Sequence, residues 1–159
     1  MNKIFILSGA VFLCTLGGIA QAASMEGSVT GTTVGEAIPV GESGAVVHIA
    51  SSYENFDMAE ENHPLAGASG PCFGSVMMLG GATSGGGHCA FTDGDGETAL
   101  VSFEVTGMSE EGALTGDWTT EGGTGKWERA EGQGTFSSLS DPEAGTFTNS
   151  LTGEITPGS

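Results

Sequence analysis

Basic residues are nearly missing from this chain. Lys and Arg number three in 159 residues, against twenty Asp and Glu, for a formal charge of −17. A polyanion such as nucleic acid is therefore excluded as a partner, because its phosphates are bound through the lysines and arginines that this chain lacks. An anionic membrane surface is disfavoured on the same ground. Long apolar runs are missing beyond the first twenty-odd positions, so no second segment approaches membrane-spanning length. Sustained helical periodicity is absent throughout. Cysteine is scarce, at three, and the single tyrosine is Tyr53.

What is present begins with a processing segment. Lys3 supplies a short positive start, Ile4 to Ala20 an apolar stretch, and Ala20-Gln21-Ala22 the small-x-small pattern that signal peptidase cleaves. The expectation is a signal peptide over 1–22, with Ala23 as the neighbouring cleavage position, and a single soluble domain over 23–159. Cys14 follows Phe12 and Leu13 where a lipid-attachment site needs small residues, so a lipoprotein is not expected. Cleavage removes Lys3 and leaves Lys126 and Arg129 against twenty carboxylates, a charge of −18. Such a charge keeps a protein soluble by self-repulsion, and it can also collect cations or a basic partner. The expected compartment is the periplasm or the exterior.

After cleavage only Cys72 and Cys89 remain. An exported protein with two cysteines most often pairs them. The glycines between them, Gly80-Gly81 and Gly85-Gly86-Gly87, read as a flexible hairpin connection that brings the two within disulfide reach. No Cys-x-x-Cys and no basic neighbourhood support a redox-active pair.

The rest of the chain is rich in glycine and β-formers. Candidate strands run over 28–34, 45–53, 72–79, 88–92, 97–105, 113–120, 132–138 and 146–155, each bounded by Gly, Asp, Asn or Pro. The connections are too short for crossover helices, so the pattern predicts an all-β antiparallel meander. Alternation is clearest where Ala99, Val101, Phe103 and Val105 share one face and Leu100, Ser102 and Glu104 the other. Val47, Ile49 and Tyr53 similarly lie opposite Val46, His48 and Ala50. Which face points inward is not decided by the pattern. Residues 55–70 read as a long mobile loop, with room for one helical turn around 57–62.

The residue order Gly122-Gly123-Thr124-Gly125-Lys126-Trp127, followed by Ala130 and Gly132, resembles the motif of the dirigent and allene oxide cyclase barrel superfamily. Glu128, Arg129 and Glu131 depart from the basic and apolar residues of plant dirigent proteins. The run Gly87 to Asp93 is similar to small exported bacterial proteins that share the glycine motif. The resemblance implies a single up-and-down antiparallel barrel of about eight strands, calycin-like or dirigent-like, with a central cavity. It does not imply a reaction, since those barrels include guiding proteins and cyclases. By its own chemistry the motif is structural: glycines allow positive φ and close backbone approach, Trp127 offers apolar area to close a barrel end, and Lys126 is set to pair with nearby carboxylates. A phosphate loop is excluded, because Thr120 stands where its first glycine belongs and Trp127 replaces its hydroxyl residue. A dinucleotide fingerprint lacks both its last glycine, at Glu128, and a βαβ context.

Asp93-Gly94-Asp95-Gly96-Glu97 is the best metal-like element, with alternate carboxylates that could wrap calcium. Asp-Gly is equally the chemistry of a tight hairpin turn, and the turn is the expected reading, with no metal. His48, His63 and His88 match no metal spacing and are expected in packing or at the surface. His48, Tyr53, Glu104 and Asp117 are the candidates for polar groups inside a barrel cavity, where a buried carboxylate would be an acid–base candidate. Serine is abundant, but no Gly-x-Ser-x-Gly elbow supports a hydrolase. No cofactor is expected. Three function classes stand: a non-catalytic barrel holding a small apolar or aromatic ligand, a cyclase or isomerase, and a surface-interaction protein.

Overall fold

A computed structural model describes residues 21–158; the leader and Cys14 thus fall outside the described residues, apart from the last two leader positions. Nine strands follow one another: β1 (Ala23–Ser24), β2 (Gly27–Val40), β3 (Gly44–Met58), β4 (Gly70–Leu79), β5 (Ala82–Thr92), β6 (Thr98–Met108), β7 (Leu114–Gly123), β8 (Glu131–Asp141) and β9 (Thr146–Thr156). Each of β2 to β9 pairs antiparallel with the next, and β9 returns to pair with β2. The result is a closed, eight-stranded, up-and-down barrel. The short β1 adds to β9 through Ala23 opposite Ile155.

The hairpins joining β2–β3, β4–β5, β6–β7 and β8–β9 lie at one end of the barrel. The other end carries the β5–β6 turn, the segment 59–69 and a 3-10 turn at Gly125–Trp127. Alternation decides the faces. Val101 and Val105 are buried and Leu100 and Glu104 exposed, so the small and aromatic face of β6 points inward, as does the Val47, Ile49 and Tyr53 face of β3. The most deeply buried large side chains, Trp127, Leu65, Ile155 and Val29, lie toward the end opposite the hairpins. That end is a packed plug.

Two expectations are corrected. Gly85, Gly86 and Gly87 are not a flexible connection; they belong to β5, and only Gly80-Gly81, both with φ near +60° to +80°, form the turn. Gly85 and Gly87 are needed where they are, because a Cβ there would meet the carbonyl oxygens of Ser75 and Phe73 at 2.2 and 2.0 Å. Nor is 55–70 a free loop with a helical turn. Its first four residues complete β3, and the remainder folds down as the barrel's lid, burying His63, Leu65 and Ala68. Its turns are held by backbone bonds from Ala66 to His63 and from Ala68 to Leu65. The composition is polar, yet the apolar Leu65 and Ala68 turn inward beside His63.

Candidate functional site

A cavity of about 360 Å³ runs along the barrel axis. Its lining extends from Leu65, Met25 and Ile155 at the plugged end to Ser140 and Pro142 at the hairpin end, where both are exposed; the mouth is there. The wall is aliphatic and aromatic, with Val47, Ile49, Val76, Val101 and Val105 between rings of Phe91, Phe103, Trp118, Phe136 and Phe147. No Asp, Glu, Lys, Arg or His lines it.

Tyr53 is the centre of an aromatic cage, with ring centroids 4.6 Å from Phe147, 5.2 Å from Phe91 and 6.3 Å from Phe56. Its hydroxyl oxygen accepts a hydrogen bond from Nδ2 of Asn149 at 2.8 Å. That leaves the tyrosine proton free to be donated. Asn149 is itself buried, and its Oδ1 has no protein partner. Together the pair presents the phenol proton as a donor and the amide oxygen as an acceptor inside an apolar chamber. Burial pushes the Tyr53 hydroxyl well above the ordinary tyrosine range, and the Asn149 bond only partly offsets this. The group remains a neutral phenol. Ser51 and Thr33, which also line the cavity, share a hydroxyl–hydroxyl bond of 2.9 Å.

Of the four cavity candidates, Tyr53 alone lines this space. His48, Glu104 and Asp117 lie on the outer wall, all exposed. In register they form one band with Glu36 and Ser75 around the outside of the barrel, because each is one residue out of phase with an inward neighbour. The inward positions are Val47, Val105 and Trp118. His88 is likewise exposed. Asn149 was missed in the sequence, although its place in β9 between the buried Phe147 and the partly buried Leu151 is the pattern of an inward polar residue.

The glycine motif and the acidic turn, two separate readings of the sequence, are one structure. Asp93 Oδ2 accepts from Trp127 Nε1 at 2.8 Å and lies 2.7 Å from Lys126 Nζ. Asp93 Oδ1 caps the turn by accepting from the amides of Asp95 and Glu97. Lys126 Nζ also donates to Asp95 at 2.8 Å, and the Lys126 amide donates to Glu97 Oε2 at 3.0 Å. Burial opposes the charge on Asp93, but the bonds from Lys126, Trp127 and the two amides outweigh it and hold the pKa at about 2. Burial likewise opposes the charge on Lys126, and Asp93 and Asp95 nevertheless raise its pKa. The carboxylates that resembled calcium ligands are taken up by an ammonium, an indole and the turn's own amides. Among the described residues no group of three or more His, Cys, Asp or Glu is arranged to hold a metal.

Gly125, at φ +58°, has no room for a side chain: a Cβ there would overlap the Glu97 carboxylate. Ala130 is buried, and Gly132 is packed against Thr120 and Ile155. Gly122 and Gly123 carry the left-handed backbone that leads β7 into the plug, and Thr124 ties the plug to β6 by exchanging bonds with Thr98. Cys72 and Cys89 stand directly opposite each other on β4 and β5 and form a disulfide.

No protein-family model matches the sequence, and no curated protein matches it significantly. Among solved structures, the pterocarpan synthase dirigent protein GePTS1 matches over 95% of this chain and 100% of its own, with a TM-score of 0.54 at 16% identity. The fold is a dirigent-like barrel. At that identity the likeness concerns architecture alone, namely the closed eight-stranded wall and its central chamber. In this dirigent-like barrel the Cys72–Cys89 disulfide fits an oxidising compartment.

Proposed function

We propose that the barrel is an exported, non-catalytic binder of one small neutral molecule, with an apolar or aromatic body and a single hydroxyl or carbonyl group. One observation carries this reading: a chamber of about 360 Å³ without a charged side chain, in which Tyr53 and the buried Asn149 have a donor and an acceptor to spare. Pockets of this size suit a small ligand, and sparse polar groups in an apolar wall fix its orientation. A charged ligand would lose its hydration with nothing to pair it. The charge of the chain also turns away anions. The periplasmic or secreted location rests on the leader pattern and the cysteine pair.

The cyclase or isomerase reading fits less well. Acid–base work in the chamber would fall to Tyr53, whose proton burial holds in place. The neighbouring dirigent protein is named a pterocarpan synthase, so the architecture can house chemistry, but at 16% identity no residue role carries over. Nile red, a neutral carbonyl-bearing dye, should bind one per chain with a blue-shifted emission. Val47→Trp, which fills the chamber from the mouth side, should abolish that signal while leaving the melting temperature within a few degrees. Dye binding that ignores Val47→Trp would sink the proposal. Native mass spectrometry of the protein from its own host would then identify the resident molecule.

A further inference from the structure

The outer wall is polar almost everywhere, with one exception. Of the nine exposed large hydrophobic side chains among the described residues, six lie on β2 and β4: Val34, Ile38, Val40, Phe73, Met77 and Leu79. These strands flank β3, and the registers set them in rows. Val34, Ala50 and Phe73 form one row; Ile38, Val46 and Met77 form another. Between them runs a polar row of Glu36, His48 and Ser75. Val40 and Leu79 close the patch over Gly44, whose Cβ would meet the Leu79 side chain. β9 pairs with β2 only as far as Thr32, so the β2–β3 hairpin stands clear of the wall on that side.

Exposed apolar patches of this kind mark association sites. We propose that the outer face of β2, β3 and β4 is the surface through which two copies of this chain associate. Charge selects the partner. The strand positions 34–40, 44–50 and 73–79 contain one carboxylate, Glu36, in a chain that has twenty Asp and Glu and three Lys and Arg. Elsewhere two copies repel; here they can meet. A basic partner would be drawn to the acidic remainder instead. The stripe order is also self-complementary. A two-fold axis along β3 lays β2 of each copy on β4 of the other, apolar row on apolar row, with Glu36 opposite the partner subunit's Ser75, as an isologous interface requires. The patch spans about 20 Å along the strands and about 10 Å across them, suited to the dry centre of an interface of about 800 Å² per partner.

The test is light scattering with sedimentation on the purified protein. The expected mass is two chains, and raising the salt from about 0.02 M to about 0.5 M should strengthen the dimer, because it screens the repulsion between copies. Phe73→Glu and Ile38→Glu, each placing an unpaired carboxylate in an apolar row of the interface, should weaken association at least about tenfold with an unchanged circular dichroism melt. Leu100→Glu, exposed on β6 and outside the patch, should leave the dimer intact. A monomer at about 100 μM in all salts, in an interface class that normally assembles at lower concentration, overturns the proposal. So does a dimer that survives both glutamates, or a mass of three chains. Binding of a monomeric protein to neutral phosphatidylcholine vesicles, lost in Phe73→Glu, would overturn it in favour of a lipid surface.

Discussion

Asp93 and Trp127, 34 positions apart, meet through a buried 2.8 Å hydrogen bond from the indole nitrogen to the carboxylate. Because the same oxygen also holds Lys126, one carboxylate fastens the plug to the β5–β6 turn. Asp93→Ala leaves an indole N–H and a half-buried ammonium without their partner. Equilibrium urea unfolding should report a loss of about 2–4 kcal/mol. A loss under about half a kcal/mol would mean that the latch contributes no more than an exposed ion pair.

The same carboxylate sets an acid limit. Its pKa in the fold, about 2, lies below the unfolded value of about 3.9, so the unfolded chain binds the proton first. The contribution is complete above the unfolded value and disappears as the pH falls from about 4 to about 2. Asp93→Asn should flatten the unfolding free energy against pH over that window. Equal slopes for the two proteins would contradict the assignment.

His63 offers a second, milder pH dependence. It is buried in the lid, its Nδ1 accepts from the Leu65 amide at 3.1 Å, and its Nε2 has no protein partner. Burial lowers its pKa, with Glu60 working partly against this. The fold therefore favours neutral imidazole, and stability falls as the pH drops below the unfolded value of about 6.5. Asn at this position can accept the same i+2 amide without titrating. His63→Asn should remove the stability change between pH 7 and 5. A slope that persists in the variant would assign it to other groups.

Much of the architecture is legible in the chain, and the reason is periodicity. Eight short alternating segments with turn residues between them allow little but an antiparallel meander, and the glycine motif supplies the closing turn. The limits are equally physical. Alternation assigns two faces but not which is inside, so His48, Glu104 and Asp117 read as cavity candidates when their neighbours Val47, Val105 and Trp118 are the ones that turn inward. Asp93-Gly94-Asp95 reads alike as turn or calcium loop, because its partner Lys126 arrives from another strand pair. For Asn149 the alternation with Phe147 and Leu151 gives only an inward position; its meaning depends on Tyr53, 96 residues away.

The Tyr53–Asn149 pair should cost the empty protein stability, since Asn149 Oδ1 is buried without a partner. Replacing both groups by apolar ones of similar shape, Tyr53→Phe with Asn149→Leu, should keep or raise the melting temperature of the empty barrel. The single Asn149→Leu change should weaken a hydroxylated ligand more than its deoxy analogue. Calorimetry on the double variant that finds several degrees of destabilisation would give the pair a structural role instead.

Calcium should leave the melting temperature unmoved, because Lys126 and Trp127 already satisfy Asp93. A rise of several degrees reversed by a chelator would require the latch to open. Removing the Cys72–Cys89 bridge, which closes a loop with a separation of 17, should lower stability by about 3 kcal/mol. The double Cys→Ser variant in urea measures it.

Ala23 pairs with Ile155 at the plugged end, so the first and last described strands leave the barrel on the side away from its mouth. The molecule therefore behaves like a cup with its handle at the base. A tag, a surface linkage or a fused domain attached at either terminus leaves the opening pointing into solution. Immobilising the protein through a chain end is thus the arrangement in which ligand capture can be measured without obstruction, and coupling through the β2–β3 or β8–β9 hairpins is the one to avoid.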